Sequence, residues 1–354
     1  MSPDSEIGGS VAASPQLDVV HGPETEDAVR VLLPPRLRPW GRYGIHLAVV
    51  AACYYAGARL GLLQALVNDQ VSPLWPPTGV ALLALLLGGV RLWPAIAVAA
   101  FAVNAPLDGG STAFLISVGN ALGPVVAFLL LKHTGFRTEL ERTRDALGLV
   151  FLGAFAGMAV SASVGTGALV LAGEVARSDF WSTWSVWWTG DAMGVLVLVP
   201  LVLALRRLRR PVRPARALEA AALLVATTGV MVIAANSPVR LLYVVFPFAV
   251  WGALRFQHLG SAPCALIASV MASRGAAAGI GPFAHLDLVH RMVTLQAFTT
   301  TVVLTTLVLS AVIAERNEAR RAIERTCAQL SDVVSQYQPL LLGKALPPTH
   351  PDAR

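Results

Sequence analysis

Ten apolar stretches follow one another along the chain, and few charges interrupt them. They lie at roughly 43–67, 74–90, 92–107, 112–131, 145–172, 182–205, 217–235, 240–257, 260–281 and 289–314. A helix needs about 20 mostly apolar residues to cross a bilayer. Hydrocarbon offers the backbone no hydrogen bonds, so a spanning segment must satisfy its own. The stretches therefore predict an all-α fold: a polytopic integral membrane helical bundle of about 8–10 transmembrane helices. The range reflects the second and third stretches, which are short for full spans and could form a re-entrant pair. The ninth, rich in Gly and Ala, is a weaker span. Composition agrees, with 55% hydrophobic and 14% charged residues, against about 25% charged in soluble domains. A disordered chain, a nucleic-acid module and an ordinary water-soluble enzyme are poor fits to those figures.

The net charge of +6 marks topology rather than nucleic acid. The densest basic cluster (Arg206, Arg207, Arg209, Arg210, Arg213 and Arg216) sits between two apolar stretches, where the positive-inside rule places cytoplasmic charge. With the N-terminus inside, Arg36, Arg38 and Arg42 precede the first span. Arg91, then Lys132, Arg137, Arg142 and Arg144, fall in the next inner loops, and Arg316, Arg320, Arg321 and Arg325 follow the last span. Asp69, Asp108, Glu174, Asp179 and Asp287 fall outside, with Arg177 as the exception there. The asymmetry predicts both termini in the cytoplasm and a multi-pass protein of the inner membrane. Residues 1–40 show no early apolar stretch of a cleavable signal and read as a disordered cytoplasmic tail.

Beyond the last span the pattern continues as a charged helix over 315–338, with Pro339 expected to end it and 339–354 as a disordered tail. Ile323, Cys327, Leu330, Val334 and Tyr337 are spaced as a heptad seam about two heptads long. The seam predicts either a dimerising or partner-docking helix, or an amphipathic helix lying on the lipid.

Ionisable residues inside spans are costly and point to function. Arg59, Asp191 and Arg274 each fall roughly 10–14 Å below the predicted outer surface at 1.5 Å per residue. Asn104 and Asn120 share that half, as do Trp75 and Trp188. Two readings follow. In one, a pocket open to the outside pairs Asp191 with one arginine and offers the other to an anionic ligand. In the other, the three charges form an internal network that pins helix register. Trp40, Trp75, Trp93 and Trp181 fall at segment ends, as interfacial anchors do.

Catalytic and metal patterns do not emerge. There is no phosphate-binding G-x-x-x-x-G-K-[ST] loop and no H-E-x-x-H. His46, His133, His258, His285 and His290 show no ligand spacing, and the cysteines Cys53, Cys264 and Cys327 read as buried free thiols. The expectation is a protein that is not an enzyme and carries no cofactor or metal.

Several motifs together resemble a known family. Leu74-Trp75-Pro76-Pro77-Thr78-Gly79-Val80 is followed by the Gly88–Pro94 stretch GGVRLWP, Asn104, and Gly119-Asn120 with Pro124. Trp187-Trp188-Thr189-Gly190-Asp191-Ala192-Met193-Gly194 with Pro200 comes next. Leu254-Arg255-Phe256, Gly279-Ile280-Gly281-Pro282-Phe283, Gln296 and the exit from Ala311 to Arg316 complete the series. In this order and spacing, residues 43–316 resemble the MASE1 domain, a bacterial membrane-associated sensor. The resemblance implies a sensor-like membrane domain over 41–314, of the kind that usually precedes a cytoplasmic histidine kinase or diguanylate cyclase. No such output domain is recognisable after 338. The implied function is a sensory or regulatory module that signals through its last helix to a kinase or cyclase partner, or as a homodimer. The alternative is a small-solute transporter for anions. The expected partners are the lipid bilayer and such a signalling protein, with no nucleic acid.

Overall fold

The computed structural model describes residues 39–63, 65–66, 71–107, 110–208, 214–237 and 241–344. The tail expected over 1–40 falls almost wholly outside these. So do Arg36, Arg38, Asp69, Asp108, Arg209, Arg210, Arg213, Arg240 and the segment from 345 onward. The side chains of Trp40, Arg42 and residues 335–344, including Tyr337, also lie outside the description. Ile45–Arg354 is one compact unit, separate from Met1–Gly44.

The described residues form helices and no strands. They are α1 (Pro39–Leu62), α2 (Pro76–Gly88), α3 (Trp93–Asn104), α4 (Gly110–His133), α5 (Thr143–Ala172), α6 (Phe180–Arg206), α7 (Pro214–Asn236), α8 (Phe246–Phe256), α9 (His258–Ala278) and α10 (Leu288–Lys344). Each predicted stretch has become one helix. Among the described residues, six helical segments are long and apolar enough to cross a membrane: Tyr43–Leu62, Gly110–His133, Thr143–Ala172, Arg177–Arg206, Pro214–Asn236 and Leu288–Val334.

The remaining helices are shorter or more polar for sequence reasons. α2 opens with Pro76 and Pro77, whose missing N–H groups cost nothing in a first turn. It stops at Gly89, where φ is +82°, a conformation glycine adopts freely. A 3-10 turn at Val90–Leu92 then leads into α3, which opens on Trp93 and Pro94. At about 1.5 Å per residue, α2 and α3 measure roughly 20 and 18 Å, well short of the roughly 30 Å hydrocarbon core. They match the expected short pair rather than two full spans.

α6 lies at the centre. It packs against α2, α5, α9 and α10, and buries more of its apolar window than any other candidate span. α1 and α7 bury the least, so most of their apolar side chains face outward, as lipid-facing helices require. Small residues allow the central crossings to be close. A Cβ on Gly194 would lie 2.1 Å from the Trp75 carbonyl oxygen, and one on Gly79 would lie 2.2 Å from the Gly194 carbonyl oxygen. Across that crossing the Trp75 N–H donates to the Gly190 carbonyl at 3.0 Å. The two most recognisable motifs of the sequence, around Trp75-Pro76-Pro77-Thr78-Gly79 and Gly190-Asp191-Ala192-Met193-Gly194, are thus the two sides of one contact.

α5 contains a π-helical stretch at Leu149–Ala156. Such stretches leave carbonyls poorly served by the helix. Here the Trp188 indole donates to the Phe155 carbonyl at 3.0 Å, and its ring packs on Phe155 at 5.0 Å between centroids.

α10 corrects the expectation for the last helix. It runs on through Pro339 to Lys344, because a proline costs one hydrogen bond and a kink but need not end a helix. Of the predicted seam, Ile323, Leu330 and Val334 are 64%, 60% and 62% exposed, and Cys327 is exposed too. Cys53 is likewise exposed rather than buried, on the outward face of α1. Trp93 and Trp181 are exposed at helix ends as expected, whereas Trp75 is buried.

Candidate functional site

A small polar cavity of about 20 Å³ lies between the segment 71–75 that leads into α2 and the helices α3, α4 and α6. Val71, Ser72, Trp75, Asn104, Asn120, Trp187 and Asp191 line it. Four of the seven residues singled out from sequence therefore come together: Trp75, Asn104, Asn120 and Asp191. A volume of this size holds about one water-sized species.

Asp191 is the polar centre. It is 1% exposed on the most buried helix of the bundle. The Thr78 hydroxyl donates to its Oδ1 at 2.6 Å. Its Oδ2 has no hydrogen-bond partner among the described residues. The Ser161 hydroxyl and the Trp187 indole are polar neighbours of the same carboxylate. Ser161 also donates to Asn120 Oδ1 at 3.3 Å, tying α5 to α4 beside the cavity. Asn104 gives its Nδ2 to the Ala100 carbonyl at 2.8 Å, within its own helix. Tyr54, 1% exposed on α1, is a polar neighbour of Trp75.

The other three predicted residues stand elsewhere. α1 ends at Leu62 rather than near 67, so Arg59 lies in its last turn, exposed. Arg274 is exposed near the end of α9, four residues before Ala278. A guanidinium near a helix end can reach the interface on its long stem, and neither arginine lines the cavity. Asp191 makes no salt bridge among the described residues. The predicted three-charge cluster is therefore not formed, and with it goes the basis for an anionic ligand. Trp188 points away to the Phe155 carbonyl, and its neighbour Trp187 takes the cavity position.

Sequence reasoning passed over Thr78, Ser161, Ser72, Tyr54 and Trp187 as site residues. Thr78 and Trp187 stood inside motifs already noted. Ser161 and Ser72 carried no signal, since isolated serines are common in membrane helices. Arg291, in the first turn of α10, carried no signal in the sequence. It is half-buried, and its guanidinium donates to the Ala276 carbonyl at 3.2 Å and the Leu286 carbonyl at 3.2 Å, capping the end of α9. His290, in the first turn of α10, pairs with Asp287 just before that helix, both exposed.

A second polar group ties the charged end of the bundle together. The Thr143 N–H at the start of α5 donates to Glu315 Oε1 of α10 at 3.0 Å. Arg207, just past α6, pairs with Glu141 at 2.7 Å. The His258 ring bonds the Leu140 carbonyl at 2.9 Å, and Arg255 pairs with Glu219 at 2.8 Å. The loop 134–142 thus reaches α9 and the residue just past α6, and the start of α5 beside it reaches the base of the exiting α10.

A central polar cavity inside a bundle of apolar helices, with one helix continuing beyond it, defines a multi-pass membrane protein. The MASE1 family model matches residues 46–317, most of the chain and all of the bundle. The chain belongs to the MASE1 family of membrane-associated sensory domains. Neither curated proteins nor solved structures give a significant match to it.

Proposed function

We propose that this chain is the sensory module of a bacterial signalling pathway, seated in the inner membrane with both termini in the cytoplasm. A ligand in the Asp191 cavity shifts the packing of α2 and α5 on α6. The shift passes to α10, which carries it to a partner. The observation that supports this most is the continuity of α10: one helix packs on α6 inside the bundle and extends to Lys344 with its seam uncovered. A ligand moves such an equilibrium only by binding the two packings differently.

The heptad spacing of the seam favours a second copy of the same chain as its partner, with a kinase or cyclase recruited to the paired helices. The Thr143–Glu315 contact gives α5 a handle on the base of α10. Deleting residues 316–338 should leave membrane insertion intact and abolish both self-association and co-purification of the signalling partner from native membranes. A deleted chain that still pairs and still captures the partner would remove the exit helix from the mechanism.

A further inference from the structure

The cavity beside Asp191 has an acidic group and no basic one in its lining. We propose that it seats one dehydrated monovalent cation of about sodium size, held by side-chain oxygens. The proposal deepens the reading above by naming the ligand class of the same cavity.

Asp191 is buried inside a membrane bundle; Thr78 donates to Oδ1, Ser161 and Trp187 stand beside the carboxylate, and Oδ2 has no hydrogen bond of ordinary geometry among the described residues. A bare charge in such a place is strongly unfavourable unless it takes up a proton or a cation meets it. No lysine or arginine lines the cavity, and Arg59 and Arg274 are exposed elsewhere.

Two neutral amides share the lining. Asn120 Oδ1 accepts from Ser161 and keeps a second lone pair. Asn104 donates its Nδ2 to the Ala100 carbonyl, and its Oδ1 is an acceptor with no proton of its own. Trp75 and Trp187 add indole rings to the wall.

Size and charge narrow the class further. About 20 Å³ excludes organic cations. Calcium takes six to eight oxygens, usually from several carboxylates. The lining has a single carboxylate, and the described residues contain no group of three His, Cys, Asp or Glu side chains that could hold a metal. An anion would face Asp191 with no donor of positive charge. Sodium, content with few carboxylates and neutral oxygens, fits what is there.

The test uses the full chain in phosphatidylcholine nanodiscs at fixed pH and ionic strength. Trp75 and Trp187 report by their emission as sodium chloride replaces choline chloride, with potassium and ammonium chloride as parallel arms. Bound sodium is measured independently by equilibrium dialysis with radioactive sodium. The expected result is a saturable change with sodium only, about one ion per chain. Asn104→Leu, which removes an oxygen and narrows the cavity, should raise the half-saturating concentration tenfold or more, and Asp191→Asn should abolish binding.

Sodium curves that superimpose on choline, with no retained isotope, overturn the proposal. A response to ammonium or potassium but not sodium overturns the size assignment. A pH-dependent change that persists in choline and disappears in Asp191→Asn identifies the occupant as a proton and overturns the ion. If Asp191→Asn does not fold, isotope binding to the wild type and to Asn104→Leu decides. Sodium binding with an output indifferent to sodium would retire the sensory reading while leaving the seat in place.

Discussion

Gly194→Ala examines the contact on which the cavity is built. The added methyl carbon would sit 2.1 Å from the Trp75 carbonyl oxygen and 2.9 Å from its carbonyl carbon. Ordinary C···O contacts lie at about 3.3 Å or more, so the two backbones must part by about 1 Å. No rotamer change can relieve this, because the obstructing atoms are main chain. Overpacking of this kind costs about 1–3 kcal/mol and sometimes more. Separation also strains the Trp75 N–H to Gly190 bond, worth about 0.5–1.5 kcal/mol. Replacing glycine by alanine inside a helix returns up to about 1 kcal/mol. The net expectation is a loss of about 2–3 kcal/mol. Equilibrium unfolding in mixed micelles of mild detergent and dodecyl sulfate measures it. Gly167→Ala and Gly229→Ala are the controls, since a Cβ at either meets nothing within 4 Å. They should be neutral or stabilised by up to about 1 kcal/mol. If Gly194→Ala unfolds with the wild type, or moves in the same direction as the controls, the close crossing of α2 on α6 is wrong.

Three other outcomes follow from the geometry. Thr78→Val removes the hydroxyl that bonds Asp191 Oδ1 and should cost about 1.5–3 kcal/mol in the same unfolding assay, with Thr78→Ser close to wild type. Gly165→Ala places a methyl carbon 2.4 Å from the Trp187 ring; it should displace that ring from the cavity wall, seen as altered tryptophan emission with a stability loss of about 1–3 kcal/mol. Glu141→Gln breaks an ion pair whose side chains are 39% and 47% exposed, so the loss should stay below about 1 kcal/mol, and a larger one would mean that loop 134–142 is held mainly by that pair.

The helices were legible because lipid imposes a single rule on every segment, and each stretch obeyed it. The site was legible only in part. Asn104, Asn120 and Asp191 stood out as polar groups where apolar ones were expected, and burial brought them together. Arg59 misled because its depth was counted from a helix end five residues too far along; moving that end to Leu62 turns a buried charge into a terminal one. Trp187 and Trp188 could not be told apart by composition. Adjacent positions on a helix point about 100° apart, and only the π-helical stretch of α5, invisible in the sequence, decides which indole has a carbonyl to bond. Thr78 was noted only inside the Leu74–Val80 motif, and its role appears only once α6 lies opposite.

The length of α10 makes it a lever. Its 57 residues correspond to about 85 Å, of which roughly 45 Å extends past residue 314 at 1.5 Å per residue. One degree of tilt at the bundle therefore moves the far tip by about 0.8 Å on that rise. On the proposed function, a displacement too small to disturb the packing of α6 is enlarged before it reaches the seam, so the cavity can stay nearly rigid and still be read at a distance.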